Sequence, residues 1–202
     1  MTDTPNFKPV FPAKEEHERY AQAISDLIRE AASQARGLAQ RSVEHILNKI
    51  REKKAIIIEI PANEETATAA EIVGFCYIDT WQNDEYVVNS GLIVKPIYRR
   101  MGVATLMKRT LFEHVRTEFP RAKIFGLTTS GAVMKINTRL GYRPVSYADL
   151  TTDKGFWKGC ESCANYDVLQ RTGGDNCLCT GMIYEPEASR PYPNEETLCY
   201  DF

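Results

Sequence analysis

Residues 92–104 read Leu-Ile-Val-Lys-Pro-Ile-Tyr-Arg-Arg-Met-Gly-Val-Ala, and no other run limits the fold so strongly. A β-branched strand ends at a proline, which cannot continue a hydrogen-bonded ladder, and a helix starts within a few residues. Val103, Leu106, Met107, Thr110, Leu111, His114 and Val115 recur at the i, i+3, i+4 spacing of one buried helical face. Gly102 has no Cβ, so the turn can tighten and its amide can approach a ligand closely. The unpaired N–H groups of the helix start and the positive end of its dipole make this turn an anion site, suited to phosphate. The alternative is an ordinary strand-turn-helix connection with Arg99 and Arg100 solvated.

Upstream, 15–34 carries Tyr20, Ile24, Leu27, Ile28 and Ala31 on one helical face. A break at Arg36 and Gly37 follows. Ser42 is placed to cap a second helix running to Ile50, with Glu44 in its first turn. Residues 55–60 and 72–80 read as an antiparallel strand pair, and 86–94 as a third strand after a turn at Asn83 and Asp84. Beyond the long helix, Pro120 stops the chain and 124–129 is another strand. Residues 131–140 form a short helix closed by Gly141, and 142–147 a last strand. This order predicts an α/β (α+β) layer fold, with antiparallel strands first, parallel crossovers later and helices on the flanks. Residues 1–14 are expected as a loose tail, 15–150 as the domain and 151–202 as a Cys-rich C-terminal extension.

A formal charge of −2 and a pI near 6.0, without a basic stripe, exclude broad nucleic-acid binding. No apolar run approaches the ~20 residues that cross a bilayer, and 1–14 lacks the apolar core of a signal peptide. A cytoplasmic protein is therefore expected. Its six cysteines read as thiols or metal ligands before disulfides.

The 99–104 turn resembles the acyl-coenzyme A loop of the GCN5-related N-acetyltransferases, the GNAT family. That family's Gln/Arg-x-x-Gly-x-Gly/Ala pattern is met by Arg99, Gly102 and Ala104. A second family motif, close to Tyr-x-x-x-Gly-Phe, has its counterpart in Asn-Thr-Arg-Leu-Gly-Tyr at 137–142. The resemblance covers roughly 16–148 and implies a GNAT-like mixed sheet with acetyl-coenzyme A, or another acyl-coenzyme A, as cosubstrate. It assigns Leu92, Ile93 and Val94, on a strand that splays at a bulge, to backbone contacts with the pantetheine arm. One amide there would polarise the thioester carbonyl. Arg99, Arg100, Met101, Gly102, Val103, Ala104 and Thr105 would wrap the pyrophosphate.

Two departures bear on catalysis. Where many GNATs have a tyrosine that protonates the leaving thiolate, this chain has Asn137, whose amide donates a hydrogen bond but no proton. Tyr142 and Tyr98 are substitute acids or packing residues. Where many members carry a glutamate base, the strand reads Val87-Val88-Asn89-Ser90, so a water held by Asn89 or Ser90, or a carboxylate from elsewhere, must serve. The expected catalytic set is Asn137, Ser90 and Asn89, with the base open.

In the extension, Cys160 and Cys163 form a Cys-x₂-Cys pair, with Cys177 and Cys179 further on. One structural zinc held by all four fits the first spacing; buried apolar thiols or a redox pair are the alternatives. Cys76 and Cys199 stand apart, and the proline-containing 185–202 end is expected to be extended. The stretch Trp157-Lys158-Gly159-Cys160-Glu161-Ser162-Cys163 also resembles the tail of the short bacterial glutamate N-acetyltransferases of arginine biosynthesis. It departs from them in the dozen residues inserted before Cys177. The function implied is transfer of an acetyl group to the amine of a small metabolite, for which the tail suggests an amino acid such as glutamate. An acyl-coenzyme A-binding regulatory module without turnover and a peptide or protein N-acetyltransferase are the alternatives. Arg36, Arg41 and Arg51 are candidate carboxylate clamps between the first two helices and the strands, or solvated helix faces. The partner set is a small-molecule amine, with a homodimer compatible and neither nucleic acid nor membrane expected.

Overall fold

The computed structural model describes residues 5–34, 38–63 and 67–186. Seven strands, β1 Lys8–Val10, β2 Ala55–Ile60, β3 Glu71–Trp81, β4 Tyr86–Val94, β5 Lys123–Thr128, β6 Arg143–Val145 and β7 Thr180–Tyr184, form one sheet. Their spatial order is β1-β2-β3-β4-β5-β7-β6. Among the described residues only β4 and β5 pair in parallel; every other neighbouring pair is antiparallel. The helices are α1 Ala21–Gln34, α2 Val43–Arg51, α3 Val103–Glu118, α4 Gly131–Arg139, α5 Lys154–Lys158 and α6 Tyr166–Arg171.

Strand β2 shows why the sheet has two covered faces. Ile56 and Ile58 pack with Val103, Met107, Leu111 and Val115 of α3, while Ala55 and Ile57 pack with Ile24, Ile28, Ile46 and Ile50 of α1 and α2. A strand buried on both sides reads as a continuous apolar run rather than an alternation. A third cluster, with Tyr86, Val88, Phe125, Tyr147, Leu150, Leu169 and Ile183, lies under the extension. There Trp157 stacks on Tyr147 at a centroid distance of 5.3 Å, and its Nε1 donates to the Thr151 carbonyl at 2.8 Å. Helices α5 and α6 thus continue the layer begun by α1 and α2.

The mixed, helix-flanked sheet is as expected, but several local expectations need correction. The 1–14 tail contributes β1, which pairs antiparallel with β2; Pro9 is tolerated because the strand is at the edge. Residues 15–20 are 3₁₀ rather than α-helical. The last strand is confined to 143–145 and pairs with β7, not in parallel with β5. Strand β7 comes from the extension and inserts between β5 and β6, so the sheet crosses both the 14/15 and the 150/151 boundaries. Ser42 caps α2 as expected, accepting from the His45 amide at 3.2 Å. Arg36 and Gly37 lie outside the described residues, as do Pro191, Pro193 and Cys199.

Candidate active site

Strands β4 and β5 pair only over 86–88 and 123–125, then separate at Asn89 and Gly126. The cleft that opens there has a volume of about 910 Å³ and is lined by 88–92 on one arm and 126–130 on the other. A bulge sharpens the divergence. Phe75 pairs with Ile93 and Tyr77 with Ser90, leaving Gly91 and Leu92 opposite Cys76 alone. Gly91 has φ +67°, and a Cβ there would stand 2.5 Å from the Tyr77 ring, so only glycine fits. Beyond Val88 the β5-facing edge of β4 has no strand partner among the described residues. Such an edge can take an extended ligand as an added strand.

The cleft has two chemically different sides. On the α3 side lie Asn89, Lys108 and Asn137. Asn89 pairs opposite Ile78, and its Oδ1 accepts from Cys76 Sγ at 3.1 Å. Burial pushes the Cys76 thiol up to about 12, so it stays a protonated donor. Asn137 is 1% exposed; its Nδ2 donates to Met182 Sδ at 3.6 Å, and its Oδ1 is buried without a partner. Lys108 is 3% exposed and has no hydrogen bond or ion pair among the described residues; burial draws its ammonium down to about 8.

On the α1–α2 side, Ser90 pairs opposite Tyr77, whose hydroxyl accepts from Arg41 Nε at 2.7 Å. His45 packs edge-on to Tyr77, with one ring nitrogen, Nε2, buried and unpartnered. Burial first, then the Arg41 and Lys49 charges, push His45 down to about 4, so it is neutral at pH 7. Lys49 pairs with Asp79 at 2.7 Å. The extension closes this side: Arg41 Nη1 reaches the Gly159 carbonyl at 3.4 Å, and Ser162 Oγ donates to the Gln40 carbonyl at 3.2 Å.

The turn before α3 lies outside this cleft, past the far end of the free β4 edge. Gly102 is its N-cap at φ +85°, without side-chain capping, and the space a Cβ would take is empty for 4 Å. The first intrahelical bond is Leu106 N–H to Gly102 O at 2.9 Å, so the amides of Val103, Ala104 and Thr105 have no acceptor within the helix. Arg99 Nε donates to the Val94 carbonyl at 3.2 Å, Arg100 is exposed at φ +67°, and Met101 is 47% exposed.

Other expected residues are engaged elsewhere. Tyr98 donates to Glu71 at 2.8 Å, Tyr142 is buried in the α3 core with its phenol pushed up, and neither lines the cleft. Arg51 is forked onto Glu18 at 3.1 and 2.7 Å, leaving Arg41 as the cleft arginine among the described residues. Cys163 Sγ accepts from the Asn165 amide at 3.5 Å, while Cys177 Sγ donates to the Asn165 carbonyl at 3.6 Å. Burial, then the neighbouring thiols, push Cys160 to about 11 and Cys179 to about 12. Four thiols are a donor set that suits zinc, yet no three His, Cys, Asp or Glu side chains among the described residues are arranged to hold a metal ion. The sequence did not point to Lys108, His45 or Tyr77.

No protein-family model and no curated protein matches the sequence. The three-dimensional structure does find relatives. It is similar to N-acetylglutamate synthase from Neisseria gonorrhoeae complexed with coenzyme A and N-acetyl-glutamate, at TM-score 0.62 and 18% identity. That match covers 91% of this chain but 36% of the synthase. A GNAT superfamily phosphinothricin acetyltransferase from Sinorhizobium meliloti in complex with acetyl-coenzyme A matches at TM-score 0.58 and 12% identity, over 95% and 97% of the two chains. Diaminobutyrate acetyltransferase from Paenibacillus lautus, with coenzyme A and L-2,4-diaminobutyric acid, matches at 0.57 and 14%, over 91% and 96%. The chain therefore has the GNAT fold.

Proposed function

We propose that this chain is an N-acyltransferase that moves an acetyl group from acetyl-coenzyme A to the amine of a small, carboxylate-bearing metabolite. One observation carries the reading: a free, bulged β4 edge joins an open phosphate-type turn to a cleft with distinct sides. The pyrophosphate would sit on the amides of Val103, Ala104 and Thr105, with Arg99 and Arg100 adding charge. The pantetheine arm would pair along β4 past Val94, Ile93 and Leu92, about 3.3 Å per residue, and bring the thioester to the fork. A β4 amide there polarises the carbonyl. The acceptor enters from the α1–α2 side, where Arg41 can take a carboxylate. Neutral His45 accepts a hydrogen bond but is a weak base, so the proton of the attacking amine passes to water held at Ser90. Attack forms a tetrahedral adduct, which collapses to the amide and the thiolate.

Support for an amino-acid acceptor comes from the ligands of the structural relatives, N-acetyl-glutamate and diaminobutyric acid. The single test is thiol release from acetyl-coenzyme A across amino acids, polyamines and short peptides. Release with amino acids supports the reading, and release with peptides alone moves the acceptor class to protein N-termini. Cofactor binding without turnover for any amine would make the chain a binding module.

Three further proposals stand apart from catalysis. Zinc at Cys160, Cys163, Cys177 and Cys179 requires the turn after α5 and the segment entering β7 to draw together on binding. About one zinc per chain, in protein purified without chelator, supports it; metal-free, fully active protein rejects it. A cytoplasmic setting suits the free thiols, and no helix among the described residues is long and apolar enough to cross a membrane. A homodimer is checked by sedimentation.

A further inference from the structure

Among the described residues Lys108 is a buried cation without a counter-ion, and its position is unusual for a lysine. It lies on α3 and lines the cleft together with Asn89 of β4 and Asn137 of α4; Cys76 of β3 is close enough to act on its charge, and its Nζ stands 5.9 Å from the centre of the Tyr142 ring. None of these is a carboxylate, and at 3% exposure little water reaches the side chain. A charge kept in such a place costs stability unless something pairs with it. The surroundings of Gly126 locate the ammonium: a Cβ there would stand 3.5 Å from the Asn89 carbonyl oxygen and 4.0 Å from Lys108 Nζ. Lys108 therefore ends at the fork, where β4 and β5 part.

The fork is also where an extended cofactor arm must stop. Past Asn89 the edge of β4 is taken by β5 through the pairs at 86–88, so an arm added along 94–89 delivers its reacting end beside Nζ. Asn137, at the position of the family's tyrosine, can donate a hydrogen bond but no proton. Resting on the acetyl-transfer reading above, we propose that Lys108 is the proton donor to the departing coenzyme A thiolate. As the adduct collapses, the C–S bond breaks, its electron pair goes to sulfur, and an Nζ–H bond of the ammonium supplies the proton. The neutral amine then regains a proton from water, which has received the one shed by the attacking amine. Asn137 positions the sulfur. The acidities fit this exchange, because an ammonium drawn down to about 8 nearly matches a thiol of ordinary pKa, about 8.5.

The test uses coenzyme A itself, so it needs no knowledge of the acceptor. Thiolate absorbance of bound coenzyme A is titrated with pH in wild type, Lys108→Met and Lys108→Gln, with bound desulfo-coenzyme A as the blank. With the ammonium beside the sulfur, the bound thiol should be about tenfold more ionised near neutral pH in wild type than in either variant. Affinity at low pH should change by less than about twofold. Turnover with acetyl-coenzyme A should fall about 10²–10⁴-fold in the variants, while an aryl thioester, whose thiolate leaves unprotonated, should recover most of the loss. Equal thiol ionisation in the three proteins, with coenzyme A bound, overturns the proposal and leaves the cofactor reading intact. A mass gain of one acetyl group on Lys108 during turnover also overturns it, in favour of a covalent lysine intermediate. Failure of wild type to bind coenzyme A removes the cofactor reading and this one together.

Discussion

Lys108, Gly102 and Arg41 each make a separate demand on the chain. Lys108 is drawn from about 10.5 in the unfolded chain to about 8 when folded. Between those values the unfolded state binds more protons, so stability rises with pH across that window, and the whole penalty is present below about pH 8. A shift of that size is worth roughly 3 kcal/mol. Lys108→Met should therefore raise the thermal midpoint at pH 7, with the gain shrinking toward pH 10; an unchanged or lowered midpoint would mean that the ammonium has a partner. Gly102 holds φ +85° with open space beside it. Gly102→Val adds strain and fills the proposed phosphate approach, and should weaken acetyl-coenzyme A binding by at least about tenfold in calorimetry. Arg41→Ala should raise the acceptor KM by about 10–100-fold, the worth of a charge-assisted hydrogen bond, with kcat less affected.

The bulge in β4 and the placing of β7 govern the site at the level of elements. Gly91→Ala forces a Cβ to 2.5 Å from the Tyr77 ring at φ +67°. It should cost about 1–3 kcal/mol in chemical denaturation and lower activity further, because the β4 edge would shift. Trp157→Ala, which loses the Tyr147 stack and the Thr151 bond, should destabilise by about 2–4 kcal/mol. Strands β2 to β5 and helices α2 to α4 were legible because each carries a long periodic or β-branched run with its own cap or breaker. Strand β1 was not, because three residues hold too little periodicity to register, while β6 was expected over 142–147 and is confined to 143–145. Strand β7 was hidden for a different reason: its partners lie about 35–60 residues upstream, and sequence pattern carries no information on distant pairing. The same limit applies to the site. Gly102 was legible from local spacing, whereas Lys108 looks like a surface residue in isolation. Only its place at i+4 from Ala104 and i−3 from Leu111, beside the buried stripe, set it apart.

For the whole molecule, the extension is part of the sheet and of the cleft wall. Removing 151–186 would expose Phe125, Tyr86 and Val88 together with the edges of β5 and β6, and should leave insoluble protein rather than a smaller enzyme. On the proposed reading the two faces divide the work: α3 and α4 would bring the acidic and hydrogen-bonding groups to the donor thioester, while α2 and the extension would build the acceptor side around Arg41. That division rests on the cofactor lying along β4. A crystal structure with acetyl-coenzyme A bound tests it most directly. The account predicts pyrophosphate on the amides of Val103, Ala104 and Thr105, pantetheine paired with 91–94, and sulfur within hydrogen-bond reach of Asn137 and Lys108. Acetyl-coenzyme A seated elsewhere, or with its thioester outside the β4–β5 fork, would contradict it.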